Sequence, residues 1–193
     1  LREKIGIGKN DVVVLFVGKL IEKKRPMDLL KAYNKFTTYN LQLTTHLIFV
    51  GDGVLRPELE KYIKENNLKN VNFAGFKNQT ELPEYYAISD ILVLPSGEGE
   101  TWGLVVNEAM CFGLPVIASN MVGCGPDLIR QGENGYIFSI GNIDELVKKM
   151  EIVFDKQKMG KFGEKSFEII KSYNFDSDID KIIGVMKSLK IRH

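Results

Sequence analysis

Residues 12–26 read VVVLFVGKLIEKKRP, and this stretch decides the fold class. Its first six residues are β-branched, aliphatic or aromatic, which is typical of a strand buried on both faces of a parallel sheet. Gly18 ends the run, and Pro26 opens a segment with apolar residues at helical spacing, since proline suits the first turn of a helix. A strand, a loop and a helix in this order predict the first unit of an α/β domain.

The same order of strand and helix repeats along the chain. Buried-strand patterns recur at residues 46–50, 71–74, 90–94, 116–118 and 136–138. Among the helices predicted between them, one spans residues 80–87 with Thr80 as its N-cap, and one spans residues 104–112. The chain is helical from Ile143 onward, with a last amphipathic segment at about residues 179–189. This alternation predicts a doubly wound, parallel, six-stranded Rossmann-like sheet.

Composition excludes several classes of function. The 193 residues suit one domain, and a net charge of +1 argues against a general nucleic-acid binder. Two cysteines without zinc-site spacing, and no apolar run as long as a membrane span, favour a reducing cytoplasm. His46 opens an apolar strand and is interpreted as structural, while His193 is terminal. The chain starts at Leu1 without an initiator methionine, so we expect it to be part of a longer protein.

The loop after the first strand carries cations where a ligand is expected. In a doubly wound sheet, ligands bind beyond the carboxyl ends of the strands at the switch point, here the loops after the first and fourth strands. Lys19 leaves the end of the first strand, and Lys24 lies just before a helix N-terminus, which favours anions. Gly18 provides the sharp turn between them. These residues are consistent with a diphosphate site, but a solvated charged surface explains this loop equally well.

The loop after the fourth strand is richer in glycine. Residues 98–108 read EGETWGLVVNE, and a helix is predicted to begin near Gly103. The first backbone N–H groups of a helix have no partner within it, so those of Gly103 and Leu104 can donate to a phosphate. We expect glycine at 103 because a side chain there would keep the phosphate away.

Two glutamates bracket this helix start. Glu100 precedes it, and Glu108 lies about one and a half turns inside, where side chains lean back toward the N-terminus. Both carboxylates can therefore approach one ligand. We expect Glu108 to be partly buried and a ligand diol to satisfy it; the alternative is that it caps backbone or pairs with a lysine.

The segment EGETWGLVVNEAMCFGLPVIAS at residues 98–119 resembles the donor-site signature of retaining glycosyltransferases of the two-Rossmann (GT-B) architecture, family four. GKLIEKKRP at residues 18–26 resembles the phosphate loop of that family. Further matches follow in order over about residues 12–150: VGDGVLRPELE, VNFAGF, ELPEYYAISDILVLPS and VGCGPDLIRQGENGYIF. The paired glutamates in their glycine context are specific, and the other matches are individually weak but jointly persuasive.

The resemblance implies a role for each site residue. Lys19 and Lys24 neutralise the donor diphosphate and, with Glu100, form the catalytic set, in which Glu100 binds hydroxyl groups of the transferred sugar. Glu108 holds the ribose hydroxyls. The other implied donor-binding residues are Gly18 in the phosphate loop, Phe76 and Lys77 near the base, Thr101 and Trp102 around the sugar, and Gly103, Leu104 and Val105 at the phosphates.

The loop departs from the family pattern at two positions. Lys19 stands where the family most often has arginine, so the bidentate fork of a guanidinium is lost. Arg25 replaces the usual glycine after the second cation. It either adds a third positive charge or faces solvent, and we favour solvent.

The resemblance also implies a domain organisation. Residues 1–175 form the donor-binding domain, the C-terminal half of a GT-B fold, and residues 176–193 a helical extension. The acceptor-binding domain lies in the missing N-terminal half. The expected activity is transfer of a hexose-type sugar from a UDP- or GDP-sugar to a glycan, a lipid or a similar acceptor, by the complete enzyme and not by this chain alone.

Fixed cations and a helix N-terminus stabilise a leaving diphosphate without an essential metal, so no cofactor and no metal site are expected. The expected partners are the nucleotide-sugar donor and the missing half. The expected location is the cytoplasm, with association at the inner face of the membrane through the missing half as a variant.

Two other classes of function stay open. A GT-B sugar-nucleotide epimerase or phosphorylase needs similar phosphate sites and glutamates. A non-catalytic nucleotide-binding α/β module does not need Glu100. A dehydrogenase is disfavoured, because the first strand leads to Gly18-Lys19-Leu20 and not to a G-x-G-x-x-G turn.

Overall fold

The computed structural model describes residues 1–40 and 43–190. Six parallel strands form one sheet in the order β3-β2-β1-β4-β5-β6. The strands are β1 (Val12–Val17), β2 (Thr45–Val50), β3 (Val71–Gly75), β4 (Ile91–Leu94), β5 (Val116–Ser119) and β6 (Gly135–Phe138). This is the doubly wound Rossmann-like sheet that the sequence predicts, with its switch point between β1 and β4.

In the described part of the chain, five helices connect successive strands, and three more follow β6. They are α1 (Pro26–Tyr39), α2 (Arg56–Glu65), α3 (Leu82–Ile88), α4 (Leu104–Cys111), α5 (Gly125–Leu128), α6 (Ile143–Val153), α7 (Lys156–Ile170) and α8 (Phe175–Lys190). Short 3-10 turns at Glu3–Ile5 and Glu22–Lys24 precede β1 and α1. Of the helices in the described part of the chain, none is both long enough and apolar enough to cross a membrane.

Two apolar cores lie on opposite faces of the sheet. Along β1, Val12, Val14 and Phe16 point into one core, and the alternate residues point into the other, as the two-residue period of a strand requires. Helices α1, α2 and α6 cover the first core, and α3, α4 and α5 cover the second. All six residues of β1 are buried, which explains its unbroken apolar run.

The predicted start of α3 is wrong by two residues. The helix begins at Leu82, and no side chain of the described residues caps it. The Asn78 side chain instead accepts from the backbone N–H groups of Thr80 (2.9 Å) and Glu81 (3.1 Å). An asparagine that bonds the backbone two residues ahead forms a turn, so Asn78 and not Thr80 organises this connection.

The last predicted helix is present as α8. Its described apolar side chains include Ile179, Ile182, Ile183, Val185 and Met186, and all five are exposed. The domain boundary at residue 175 stays a prediction, and His193 lies outside the described residues.

Candidate functional site

The loops after β1 and β4 meet at the carboxyl edge of the sheet. The Gly97 backbone N–H donates to the Lys23 carbonyl at 2.7 Å. The Lys24 ammonium forms an ion pair with the Glu100 carboxylate, and their side chains are only 20% and 10% exposed. Because β1 and β4 are neighbours in the sheet, the two loops that the sequence singles out lie side by side.

The turn at Glu22–Lys24 places the Lys24 side chain over Gly18. A Cβ atom on Gly18 would lie 3.6 Å from Lys24 Cδ, so the lysine stem covers this glycine in ordinary van der Waals contact. Arg25 follows in the left-handed conformation, at φ 50°, and its guanidinium pairs with Asp28 at 2.5 Å. Arg25 is half-buried, so the expectation that it faces solvent is wrong. Its positive charge is paired with Asp28 in the first turn of α1.

Lys19 lies in a cleft of about 330 Å³ beside these loops. The ring of Phe76 is 78% exposed in the same region. Lys77 pairs with Glu81 at 3.2 Å, and its pKa is raised, chiefly by that hydrogen bond. The residues lining the cleft are Val17, Gly18, Lys19, Val50, Gly51, Asp52, Phe76, Lys77 and Leu82. The structure therefore brings together four of the predicted donor-site residues, from the ends of β1 and β3.

Two glycines after β2 allow the cleft to form. A Cβ atom on Gly51 would lie 2.0 Å from the Gly18 carbonyl oxygen, and one on Gly53 would lie 2.4 Å from that of Leu20. Such distances are impossible for a side chain, so both positions require glycine. In the sequence, the pattern Gly-x-Gly at the end of a central strand already indicates such close packing of backbone.

Helix α4 begins directly beneath the glycine-rich loop. Gly103 is its N-cap at φ 96°, and no side chain of the described residues caps the helix start. The backbone N–H groups of Leu104 and Val105 therefore have no partner within the helix and can donate to a ligand, whereas Val106 N–H donates to the Gly103 carbonyl at 2.8 Å. The next residue, Leu104, has a 68% exposed side chain.

The reason expected for glycine at 103 is wrong. A Cβ atom there would point at Val122 Cγ1, at 3.0 Å, and at Leu94 Cδ2, at 3.2 Å. Both atoms belong to buried core residues. Glycine at 103 is therefore required by the positive φ and by the core on its inner side, and not by an incoming phosphate.

The segment from Glu100 to Trp102 is held by the loop after β5. Gly123 N–H donates to the Glu100 carbonyl at 3.0 Å, and Cys124 N–H donates to the Trp102 carbonyl at 2.9 Å. A Cβ atom on Gly123 would lie 1.9 Å from the Thr101 carbonyl oxygen. This backbone contact orients Glu100 and was not foreseen from the sequence.

Two more side chains of this segment were predicted to shape the sugar pocket. Thr101 is exposed. Trp102 is half-buried, and its indole N–H donates to Asn107 Oδ1 at 2.8 Å. The ring orientation of Trp102 is thus set from within α4.

Glu108 is exposed, and not partly buried as expected. Its Oε2 atom accepts from the Tyr86 hydroxyl at 2.5 Å, where the sequence analysis proposed only backbone, a lysine or a ligand as partners. Burial and then the bond to Glu108 raise the pKa of Tyr86, which keeps its hydroxyl protonated as a donor. Glu108 lines a second cleft of about 290 Å³. Leu82 lines both clefts, so Glu108 and Lys19 lie on the walls of adjoining spaces.

His46 has the structural role that its sequence context predicts. It is buried, and its Nε2 lies 3.0 Å from Asp11 Oδ2 near the amino end of the sheet, at the opposite edge from the clefts. Among the side chains that the structure describes, no three histidine, cysteine, aspartate or glutamate residues are grouped so that they could hold a metal ion.

The sequence profile of the family described as "Glycosyl transferases group 1" matches residues 1–168. A sulfoquinovosyl transferase of Arabidopsis thaliana, SQD2, is 33% identical over 175 residues, which cover 88% of this chain and 32% of that protein. An Escherichia coli UDP-Gal:alpha-D-GlcNAc-diphosphoundecaprenol alpha-1,3-galactosyltransferase is 30% identical over 186 residues, which cover 94% of this chain and 47% of that protein. The chain thus spans less than half the length of either relative.

Solved structures show the same fold. Alr3699/HepE of Anabaena, crystallised in complex with UDP and glucose, superposes with a TM-score of 0.80 at 27% identity, over 97% of this chain and 50% of that one. The C-terminal domain of a glycosyl transferase group 1 family protein (LpcC) from Francisella tularensis superposes with a TM-score of 0.77 at 22% identity. That match covers 85% of this chain and 87% of the other, and at this identity it shows likeness of fold alone.

Proposed function

The chain belongs to the family of glycosyl transferases group 1, and we propose that it is the donor-binding, C-terminal half of a retaining GT-B enzyme of family four. The complete enzyme transfers a hexose-type sugar from a UDP- or GDP-sugar to a glycan, a lipid or a similar acceptor. UDP is the preferred candidate because the name of the Escherichia coli relative specifies a UDP-sugar and the Anabaena neighbour was crystallised with UDP.

One observation carries the proposal. The Lys24–Glu100 pair, the uncapped start of α4 and the two adjoining clefts lie at the carboxyl edge of the sheet, around the switch point. A nucleotide-sugar has a base, a ribose, a diphosphate and a sugar in line. The groups needed to bind these parts are present at this edge: an open apolar cleft, two carboxylates, and cations near a helix start without a side-chain cap.

The proposed chemistry is stabilisation of the leaving group. Negative charge builds on the diphosphate as the bond to the sugar breaks, and fixed cations and backbone N–H groups placed beforehand lower the energy of that state. Lys19, Lys24 and the N–H groups of residues 103–105 supply this stabilisation. We propose that no metal is essential, since these groups provide the positive charge.

The remaining residues bind the donor. Glu108 accepts from the ribose hydroxyls, and Glu100 from hydroxyls of the sugar. The others, in order from base to sugar, are Phe76, Lys77, Gly18, Thr101 and Trp102. The acceptor site and the rest of the catalytic machinery belong to the other half, so this chain alone binds donor but transfers nothing. We propose a cytoplasmic location, with contact to the inner face of the membrane made by that half.

A thermal-shift panel of UDP-, GDP- and ADP-sugars on this chain tests the proposal. A ligand that binds only the folded state at 100 times its Kd stabilises that state by about 2.7 kcal/mol, so the correct donor raises Tm. The matched variants are Glu108→Ala and Glu151→Ala, the latter on the exposed face of α6. We expect the shift to be lost in the first and kept in the second. No shift with any of the three donors contradicts the proposed function.

A further inference from the structure

The Tyr86 side chain is placed as a fixed support for Glu108. It comes from α3, is 2% exposed, and packs its ring on Phe112 with centroids 5.5 Å apart and planes 22° from parallel. Tyr86 lines the same cleft as Glu108, and its hydroxyl donates to Glu108 Oε2 at 2.5 Å. The tyrosine is thus buried, and the glutamate that it contacts is exposed.

An exposed glutamate is normally free to rotate. Holding such a side chain in one rotamer costs conformational entropy, which a ligand has to offset when it binds. A hydrogen bond from a buried donor removes part of that cost in advance, because the carboxylate is already oriented. A carboxylate has about four lone-pair positions, so one bond from Tyr86 leaves three for a ligand.

We propose that Tyr86 is a positioning residue that holds Glu108 in the orientation from which it accepts hydrogen bonds from the two ribose hydroxyl groups of the donor. The proposal rests on the proposed function, because it assumes that a nucleotide is the ligand. It assigns a role in substrate recognition to a residue of α3 that does not itself touch the ribose.

The simpler explanation is that Glu108 only satisfies a buried hydroxyl group. Tyr33 provides a matched control for that explanation. It is also buried, and its hydroxyl donates to the Thr45 carbonyl at 2.7 Å, at the amino end of β2 and away from the clefts. Tyr33→Phe and Tyr86→Phe each remove one hydroxyl and keep the ring, so they lose similar stability if both bonds are merely structural.

The test is titration calorimetry on this chain with UDP, or with GDP if the wild-type chain prefers it, and with the 2′,3′-dideoxy form of the same nucleotide. We expect Tyr86→Phe to bind the natural nucleotide about three- to tenfold more weakly, the range of the net contribution of one ordinary hydrogen bond. It should bind the dideoxy form as wild type does, because that form has no 2′- or 3′-hydroxyl group that could donate to Glu108. Tyr33→Phe should bind both as wild type does.

A double-mutant cycle adds a second measurement. In the Glu108→Ala background, Tyr86→Phe should not weaken nucleotide binding further, since the residue acts through Glu108. Unchanged affinity of Tyr86→Phe for the natural nucleotide, or equal weakening toward both forms, overturns the proposal and leaves the proposed function in place. If wild type binds neither UDP nor GDP, the proposed function fails and the role of Tyr86 with it.

Discussion

Lys24 and Glu100, 76 residues apart in the chain, form an ion pair that joins the loop after β1 to the loop after β4. Both side chains are largely buried, so each compensates a charge that would otherwise be poorly solvated. The family resemblance assigns these two residues to the diphosphate and to the sugar, and in the structure they neutralise each other. Under the proposed function, a donor with a phosphate near Lys24 and a hydroxyl near Glu100 would replace this contact with two others.

The first prediction concerns the stability of this pair. Lys24→Met and Glu100→Gln should each lower the free energy of unfolding by about 1–3 kcal/mol, because each leaves a buried charge without its partner. The double variant should lose less than the sum of the two, since it removes both charges together. Urea unfolding of the four proteins at one pH measures the coupling. If the losses of unfolding free energy in the single variants add up to the loss in the double variant, the ion pair does not contribute to stability.

The second prediction compares two glycines. Gly103→Ala should destabilise the chain by about 1–3 kcal/mol, because alanine disfavours a φ of 96° and its methyl group meets Val122 and Leu94. Gly160→Ala is the matched control: it lies inside α7, and its Cβ would meet no atom within 4 Å. Alanine should stabilise that position by up to about 1 kcal/mol. The urea midpoints of the two variants should therefore move in opposite directions. Equal shifts in both variants would exclude the positive φ and the core contact as the reason for glycine at 103.

Most of the fold follows from local patterns. The buried strands, such as β1, lie in the sequence as short apolar runs closed by glycine or proline, and the sheet predicted from their alternation with helices is the one observed. The start of α3 was missed because two candidates for a turn, Asn78 and Thr80, are two residues apart. Which of them bonds the backbone depends on the path of the chain out of β3.

The contacts within the candidate site were less predictable than its position. The loops that form it follow from the switch-point rule, and the structure places them together. The Tyr86–Glu108 and Lys24–Glu100 contacts depend instead on how α3, α4 and the loops pack, and no spacing in the sequence encodes that. The burial of Glu108 was misjudged for the same reason: its apolar neighbours on α4 face the core, whereas Glu108 is on the outer side.

The third prediction uses the two cysteines as probes. Burial raises the pKa of Cys124 to about 12, so this thiol should not be alkylated in the native protein. Cys111 is exposed, and it lines the same cleft as Glu108. The pKa of the Cys111 thiol is raised, first because the thiol is partly desolvated and then by the negative charge of Glu108. Cys111 should therefore react more slowly than a free cysteine.

Mass spectrometry after iodoacetamide treatment checks these rates. We expect one label on the native chain and two in urea. Glu108→Gln should speed the labelling of Cys111, because removing the negative charge lowers the thiol pKa, and a bound nucleotide should slow it by covering the cleft. Rapid double labelling without urea would contradict the burial of Cys124.

The last prediction concerns acid stability at the opposite edge of the sheet. The Asp11 carboxylate accepts from Gly8 N–H at 2.8 Å and lies 3.0 Å from His46 Nε2. The Gly8 bond above all, and His46 with it, hold the pKa of Asp11 below its ordinary value of 3.8. A depressed carboxyl pKa contributes stability that is present above 3.8 and is lost as the pH falls through the folded-state pKa.

Asp11→Asn should therefore be less stable than wild type at neutral pH, by about 1 kcal/mol, and the difference should shrink as both proteins are brought to about pH 3. The measurement is the urea midpoint at a series of pH values. Glu151→Gln removes an exposed carboxylate from α6 and controls for the loss of charge as such. The difference in stability between Asp11→Asn and wild type could instead stay constant down to the lowest pH. That result would show that the ionisation of Asp11 is not its cause, and that the contacts with Gly8 and His46 stabilise the fold independently of the charge on Asp11.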